Sequence, residues 1–483
     1  MGRSFSMVRA GVLAGAGLMV ALSPSWLGAV RASSSPLSND ALLPAAALSQ
    51  ILAASDASVT RSRAVALDVN TLPDPRTRPQ LVREPSLSLE LFPDVSIVAV
   101  FERFDPNTSG VTWVGHVDGV AASSVTLVYG GGLLAGSVVM PSGTFNIRPA
   151  SAESRAANPQ PAGEVHVISQ VNQAALPREA DPLEPTYTPE ALAAAADRNI
   201  TDTADIIDVM VVYTALAQQH AGGAAGMANL INIGISETNT TYANSDVKHR
   251  VRLVHSALVG YTEVGSFSAN LTSLRQGLGP LSGVPALRNQ FGADLVMMLV
   301  HPSSGADACG IAYVMSTVNA AFDPFGYSVT DTVCVTPGLT MPHEWGHNMG
   351  AQHDWYVNTS VFPYSYAHGY NNTRVGQRWR TVMSYNDACA VQGFNCTRLL
   401  AWANPDNRLN PFCTGGSFAC RGNLWFLPGE AMGVPGGTRT DCVVGVLTTN
   451  PCDADDHRAL NNTALTVANL RQRVVASTTS DRR

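Results

Sequence analysis

Lysine is nearly absent from this 483-residue sequence, in which Lys248 stands alone against 29 arginines. No basic block offsets the formal net charge of −7, which argues against nucleic acid or an anionic membrane surface as a partner. Cysteine is missing from the first 308 residues, and all eight fall between Cys309 and Cys452. The one marked apolar run near the start, Ala10 to Leu22, is too short to span a bilayer comfortably. Arg3 and Arg9 precede it and small residues around Ala29 and Ala32 follow it, the layout of a cleavable export signal over residues 1–32. No later run replaces it as an anchor, so a secreted chain without a membrane partner is expected. An even cysteine count in an exported chain argues for disulfides. Pairing sequence neighbours gives Cys309–Cys334, Cys389–Cys396, Cys413–Cys420 and Cys442–Cys452, one of about 105 connectivities open to eight cysteines. The competing reading, a zinc site made of thiolates, lacks any close Cys-x-x-Cys pair.

What is present divides the chain. Residues 33–60 are rich in Ala and Ser and read as poorly ordered. From about Ser88 to His166 short alternating runs such as Val111–Val117 and Val125–Tyr129 are separated by Gly, Pro and Asn turns, the mark of an antiparallel β unit. Pro177 to Ile200, with further prolines at 182, 185 and 189, reads as an exposed linker open to proteolytic nicking. Beyond it strands and helices alternate, as in a mixed α/β layer. Ile206–Tyr213 is an apolar strand, Met227 to Tyr242 carries a helical stripe, and Val251–Val259 alternates as a second strand. Asp294–Val300 suits a buried strand, Gly310–Val314 a short sheet edge, Ser328–Val335 a further strand, and Asp455–Val475 a packed final helix.

The densest chemistry is His343-Glu344-Trp345-Gly346-His347-Asn348-Met349-Gly350-Ala351-Gln352-His353-Asp354. Positions i and i+4 share one helix face, so His343 and His347 can aim at one metal. Gly350 lets the helix stop abruptly, since glycine enters the left-handed conformation cheaply, and His353 returns as a third ligand. Three protein ligands leave one zinc position open, which marks a catalytic rather than a closed structural site. Glu344 sits beside the first ligand and can serve as a base without being a ligand. Pro342 is tolerated only in the first turn, so the helix is expected to begin near Thr340 as N-cap, or else to be kinked there.

Downstream lies Thr381-Val382-Met383-Ser384-Tyr385-Asn386. The long histidine motif followed by a methionine turn is the metzincin signature. From about residue 203 to 475 the chain resembles bacterial reprolysin-like metzincins, and most nearly the peptidyl-Asp metalloendopeptidases. Matching pieces include Ile206–Tyr213, Gly292–Val296, Tyr366–Tyr370, Arg378–Asn386 and Ala459–Thr463. The resemblance implies a mixed twisted sheet carrying an active-site helix, one catalytic zinc on His343, His347 and His353, and Glu344 as general base. It implies Tyr385 as an oxyanion donor, and Gly350, Asp354 and Met383 as structural support. If the aspartate preference carries over, a cation must meet the substrate carboxylate, and Arg378 and Arg380 are candidates. Substrate would pair with the edge strand as an added strand.

The expected organisation is a signal over 1–32, a β-rich propeptide and linker over 33–200, a catalytic domain over 201–475 and a disordered tail over 476–483. The propeptide would inhibit its own enzyme. Having no cysteine, it cannot do so through a thiolate; a carboxylate, His116, His166 or a segment lying in the cleft stay open. Protein or peptide substrates and a monomer are expected, and no calcium site is assigned. The alternatives are an adamalysin- or serralysin-like endopeptidase of general specificity, or a secreted binding protein with a dead zinc site. Glycine-rich calcium repeats of the serralysin kind are absent, and all three histidines and Glu344 are present, against the dead site.

Overall fold

The computed structural model describes residues 43–474, apart from 54–56, 69–71, 73, 75–85, 106, 108–109, 161–162, 197–199, 303–304, 375–377 and 410–428. The expected signal, the tail and the Cys413–Cys420 pair lie outside the described residues.

Eight antiparallel strands build the first unit: β1 (Val59–Leu67), β2 (Ser86–Phe92), β3 (Val95–Asp105), β4 (Val111–Val117), β5 (Ser124–Gly130), β6 (Leu133–Met140), β7 (Gly143–Pro149) and β8 (Glu164–Val171). From β2 to β8 each strand pairs with the next, and β1 returns to pair with β8. Side chains then bridge the two edges, because Arg61 on β1 pairs with Asp94 at 2.7 Å and Arg63 donates to the Glu90 carbonyl on β2. Leu87, Leu89, Trp113, Leu127, Phe145 and Ile147 fill the interior, one alternating face of each strand as period two requires. Residues 33–60 are more structured than expected where they are described. Ala45–Ala53 is a helix, with Ile51 buried against Ala150 and Val165, and β1 begins at Val59. Alanine-rich composition hid both elements.

The second unit is a five-stranded sheet with order β10-β9-β11-β13-β12, built from β9 (Ile206–Tyr213), β10 (Arg250–Leu258), β11 (Leu295–Val300), β12 (Gly310–Ala312) and β13 (Tyr327–Asp331). Neighbouring strands are parallel except the edge pair β12 and β13. All six residues of β11 are buried, as an interior parallel strand demands. The helix Ala224–Asn244 lies between the units: Asn229 donates to the Leu133 carbonyl of β6 at 2.9 Å, and Arg103 of β3 donates to Thr240. No helix among the described residues is long and apolar enough to cross a membrane.

Three expectations change. The edge strand and β13 each end earlier than the residue pattern suggested: the edge strand stops at Ala312, and β13 at Asp331, where a turn through Cys334 takes over and is tied to Cys309 by a disulfide. The helix that carries His343 and His347 spans Thr340–Asn348, and its N-cap is Leu339 in a left-handed conformation (φ 53°) with no side-chain cap bond. Val139 and Leu400 bury Leu339, and this packing offsets the left-handed cost of about 1–2 kcal/mol. Thr340 is thereby freed from capping. Finally, the expected linker is not uniformly exposed: Glu179 and Pro185 are buried, and Pro189–Ala196 is a short helix.

Candidate metal centre

Pro342 falls in the first turn of the helix Thr340–Asn348, where its missing N–H costs nothing. His343 and His347, one turn apart, face the same side. At Gly350 the chain reverses with φ 86°, and a Cβ there would sit 2.7 Å from Pro363 Cγ. Glycine is thus required on both conformational and steric grounds, and the reversal delivers His353.

The three rings converge on one point. His353 Nε2 lies 3.2 Å from His343 Nε2 and 3.0 Å from His347 Nε2. His343 donates from Nδ1 to the Val382 carbonyl at 3.0 Å, and His347 from Nδ1 to the Ala351 carbonyl at 2.8 Å. A carbonyl only accepts, so the proton of each of these rings resides on Nδ1 and the Nε2 lone pair faces inward. Ring nitrogens this close need either a shared proton or a cation between them. All three rings are buried, and burial depresses their basicity, that of His343 to about 4. Neutral imidazoles in tetrahedral spacing are the donor set zinc prefers, and among the described residues no other His, Cys, Asp or Glu cluster meets the same test.

Glu344 is fully buried with both carboxylate oxygens free of hydrogen bonds. Burial, and next the nearby Glu179 charge, push its carboxyl well above the usual range. Met383 underlies the helix, its Sδ 2.9 Å from where a Cβ on Gly346 would be, a soft floor beneath the ligands. Asp354 binds the turn together by accepting from Tyr385 N at 2.8 Å through Oδ2 and from Tyr356 N at 3.1 Å through Oδ1. Burial raises its carboxyl to about 6 against those bonds. The Tyr385 ring lies 4.2 Å from the His353 ring.

Residues 203–404 match Metallo-peptidase family M12B Reprolysin-like. The unit is similar to that family over this stretch. Its reprolysin-like part extends into longer similarity with curated proteins called Peptidyl-Asp metalloendopeptidase. One, from Stenotrophomonas maltophilia, is 30% identical over 60% of this chain and 64% of its own length. Another from a second strain of that species is 28% identical over 72% of this chain and 71% of its own length. A third, from Xanthomonas campestris, is 30% identical over 60% of this chain and 64% of its own length. The chain therefore spans less than two thirds of the first and third of these relatives.

Around the reprolysin-like centre, the expected ligands, Glu344, Tyr385, Asp354 and Met383 come together. Arg378 does not join them: it is exposed, with its guanidinium 3.9 Å from the Phe394 ring centroid. Arg380 is buried and committed, donating to the Cys396 carbonyl at 3.0 Å and the Ser384 carbonyl at 2.6 Å. His368 is held between two backbone carbonyls, its Nδ1 2.6 Å from that of His353 and its Nε2 2.8 Å from that of Ser360, so it does not face the centre. His116 pairs with Glu102, and His166 accepts from Leu134 N, both within the first unit.

Two residues at the centre had no signal in the motifs. Arg398 is aligned beside Arg380 because β15 (Trp379–Arg380), which also pairs with β14 (Asn371–Asn372), runs parallel to β16 (Thr397–Arg398), held by the Cys389–Cys396 disulfide. Glu179, from the segment read as a linker, meets it at 2.5 Å with both side chains nearly inaccessible. That segment lies on the sheet edge: Cys309 N donates to the Arg178 carbonyl, Ala180 N to Gly310, Leu183 N to Ala312 and Val314 N to Leu183. Leu183 and Tyr313 form a parallel bridge. Asp181, exposed beside it, carries a carboxylate oxygen 3.7 Å from His353 Nδ1.

Proposed function

We propose that this chain is a zinc endopeptidase, exported as a zymogen and cutting proteins on the N-terminal side of aspartate. The observation that carries the reading is the convergence of three Nε2 atoms beside a buried, unpartnered carboxylate. His343, His347 and His353 would hold the ion, which when bound supplies a Lewis acid for the scissile carbonyl and lowers the pKa of a water. Glu344, its proton affinity raised by burial, takes the proton of the attacking water and passes it to the leaving amine. Tyr385 donates its hydroxyl to the oxygen on which negative charge develops. Met383 and Gly350 hold the ligands in place, and Asp354 ties the third ligand to the Tyr385 backbone. The aspartate preference rests on the names of the relatives and on the cationic floor beside the centre.

Residues 33–200 act in this reading as the propeptide, with an export signal at 1–32, the catalytic part over 201–475 and a tail over 476–483. Disulfides of the catalytic part and the absence of a spanning helix among the described residues support export. The segment along β12 lies where an added substrate strand would pair, which supports inhibition from within the cleft rather than by His116 or His166. The enzyme works as a monomer on protein and peptide substrates. To test this, a denatured protein is digested with the matured enzyme and the cut sites are sequenced. Cuts before aspartate that vanish on chelation are expected; cuts scattered without an acidic neighbour overturn the aspartate clause, and activity in a zinc-free preparation overturns the whole.

A further inference from the structure

Arg398 is almost completely buried, and burying a guanidinium without an anion is costly. Its Nη1 donates to Glu179 Oε1 at 2.5 Å and to the Gly338 carbonyl at 2.6 Å, and its Nη2 to Glu179 Oε2 at 3.2 Å and the Ser384 carbonyl at 3.0 Å. Thr340, relieved of capping, donates its hydroxyl to the same Glu179 Oε1 at 2.9 Å. Two backbone carbonyls thus aim the fork, and three donors converge on one carboxylate. Fork-to-carboxylate pairing is the strong, directional kind. Glu179 belongs to the segment that maturation would remove. What stays behind is a fixed cation and a hydroxyl at the start of the metal-bearing helix.

We infer that Arg398 is the specificity-determining residue of the enzyme, the floor of a pocket that receives the substrate's acidic side chain, and that Glu179 fills this pocket as a built-in mimic before maturation. The inference deepens the aspartate clause above and rests on it. A second contact supports the mimicry. Tyr385 donates its hydroxyl to the Glu179 main-chain carbonyl at 2.5 Å, the place assigned to the carbonyl under attack. In a substrate whose acidic residue follows the scissile bond, that carbonyl belongs to the preceding residue. In the segment it belongs to Glu179 itself. The pocket and the carbonyl position can both be filled in this swapped order only if the segment runs opposite to a substrate. It runs parallel to the edge at Leu183, so substrate runs antiparallel to β12. The peptide bond is then presented reversed, and the nitrogen that would leave, that of Ala180, is tied to the Gly310 carbonyl at 2.8 Å. The zymogen fills its own specificity pocket without offering a cleavable bond.

The test uses paired peptides that differ only in Asp or Asn after the scissile bond, with matured wild type and with Arg398→Gln. Wild type should favour Asp by about 100-fold or more in kcat/KM, as expected where a site is built to bind a polar group. In Arg398→Gln that ratio should fall close to one, with Arg398→Lys in between. An active Arg398→Gln enzyme with an unchanged ratio overturns the assignment. A second measurement needs no folded variant: synthetic peptides of residues 174–187 are added to matured wild type. The Glu179 peptide should inhibit competitively, and its Glu179→Gln version about 10- to 100-fold more weakly, the loss expected for hydrogen bonds to a charged group. Equal inhibition overturns the mimicry. Wild type showing no acidic preference sinks the underlying aspartate reading instead, so the two failures are told apart.

Discussion

At the scale of single residues the centre divides its labour by what each side chain lacks. Glu344 has no hydrogen-bond partner and Tyr385 a hydroxyl turned toward the cleft, whereas Asp354 spends both oxygens on backbone N–H groups. Substitutions should separate these roles. Glu344→Ala should keep its zinc, measured by elemental analysis, and lose about 10²- to 10⁴-fold in kcat, the usual span for a general acid–base group; turnover near wild type would remove it from the proton path. Tyr385→Phe should lower kcat by roughly 10²-fold with KM little changed, because an oxyanion donor acts on developing charge. A rise in KM alone would make Tyr385 a binding residue only.

Among elements, the reversal at Gly350 and the sheet edge are legible in the sequence, and the segment at the edge is not. Gly350 and the three histidines are fixed by spacing along one stretch of chain, where helix geometry alone places them. Arg398 and Glu179 are 219 residues apart and meet only because a disulfide, a two-residue strand pair and an edge strand align them. The one available clue was the expected pairing of Cys389 with Cys396, which sets Arg398 beside Arg380. Linker composition misled at Glu179, since prolines report on local stiffness and say nothing about what the chain is laid against. The Thr340 cap failed for a related reason: buried Leu339, held by Val139 and Leu400, overrode a local preference. Gly350→Ala carries a prediction at this scale. It adds a left-handed cost of about 1–2 kcal/mol and forces a Cβ toward Pro363 Cγ, 2.7 Å away. The melting temperature should fall, and zinc should be lost at a lower chelator concentration than in wild type. An unchanged metal affinity would show that the turn does not position His353.

Across the whole molecule the first unit is docked through polar groups as much as apolar ones. Glu237, on the helix Ala224–Asn244, is buried against that unit; burial pushes its carboxyl up to about 8, while the Ser137 hydroxyl of β6 and the Arg148 charge of β7 pull the other way. A carboxyl freed into water titrates near 4.3. Its docked value is the higher one, so the docked form binds the proton more tightly. Docking is therefore strongest below about pH 4.3 as far as this group is concerned, and weakens steadily as pH rises to about 8, above which no further loss occurs. Asp294 is also raised to about 8 by burial, so a bare pH profile of the chain would mix the two. A difference measurement isolates Glu237: melting temperatures of the full chain and of Glu237→Gln are compared from pH 5 to pH 9. Glutamine keeps the shape and cannot ionise, so the variant should gain on wild type as pH rises, and the gap should level off past about pH 8. A gap that stays constant across the range would mean that Glu237 is charged when docked and that its environment is wetter than the packing indicates.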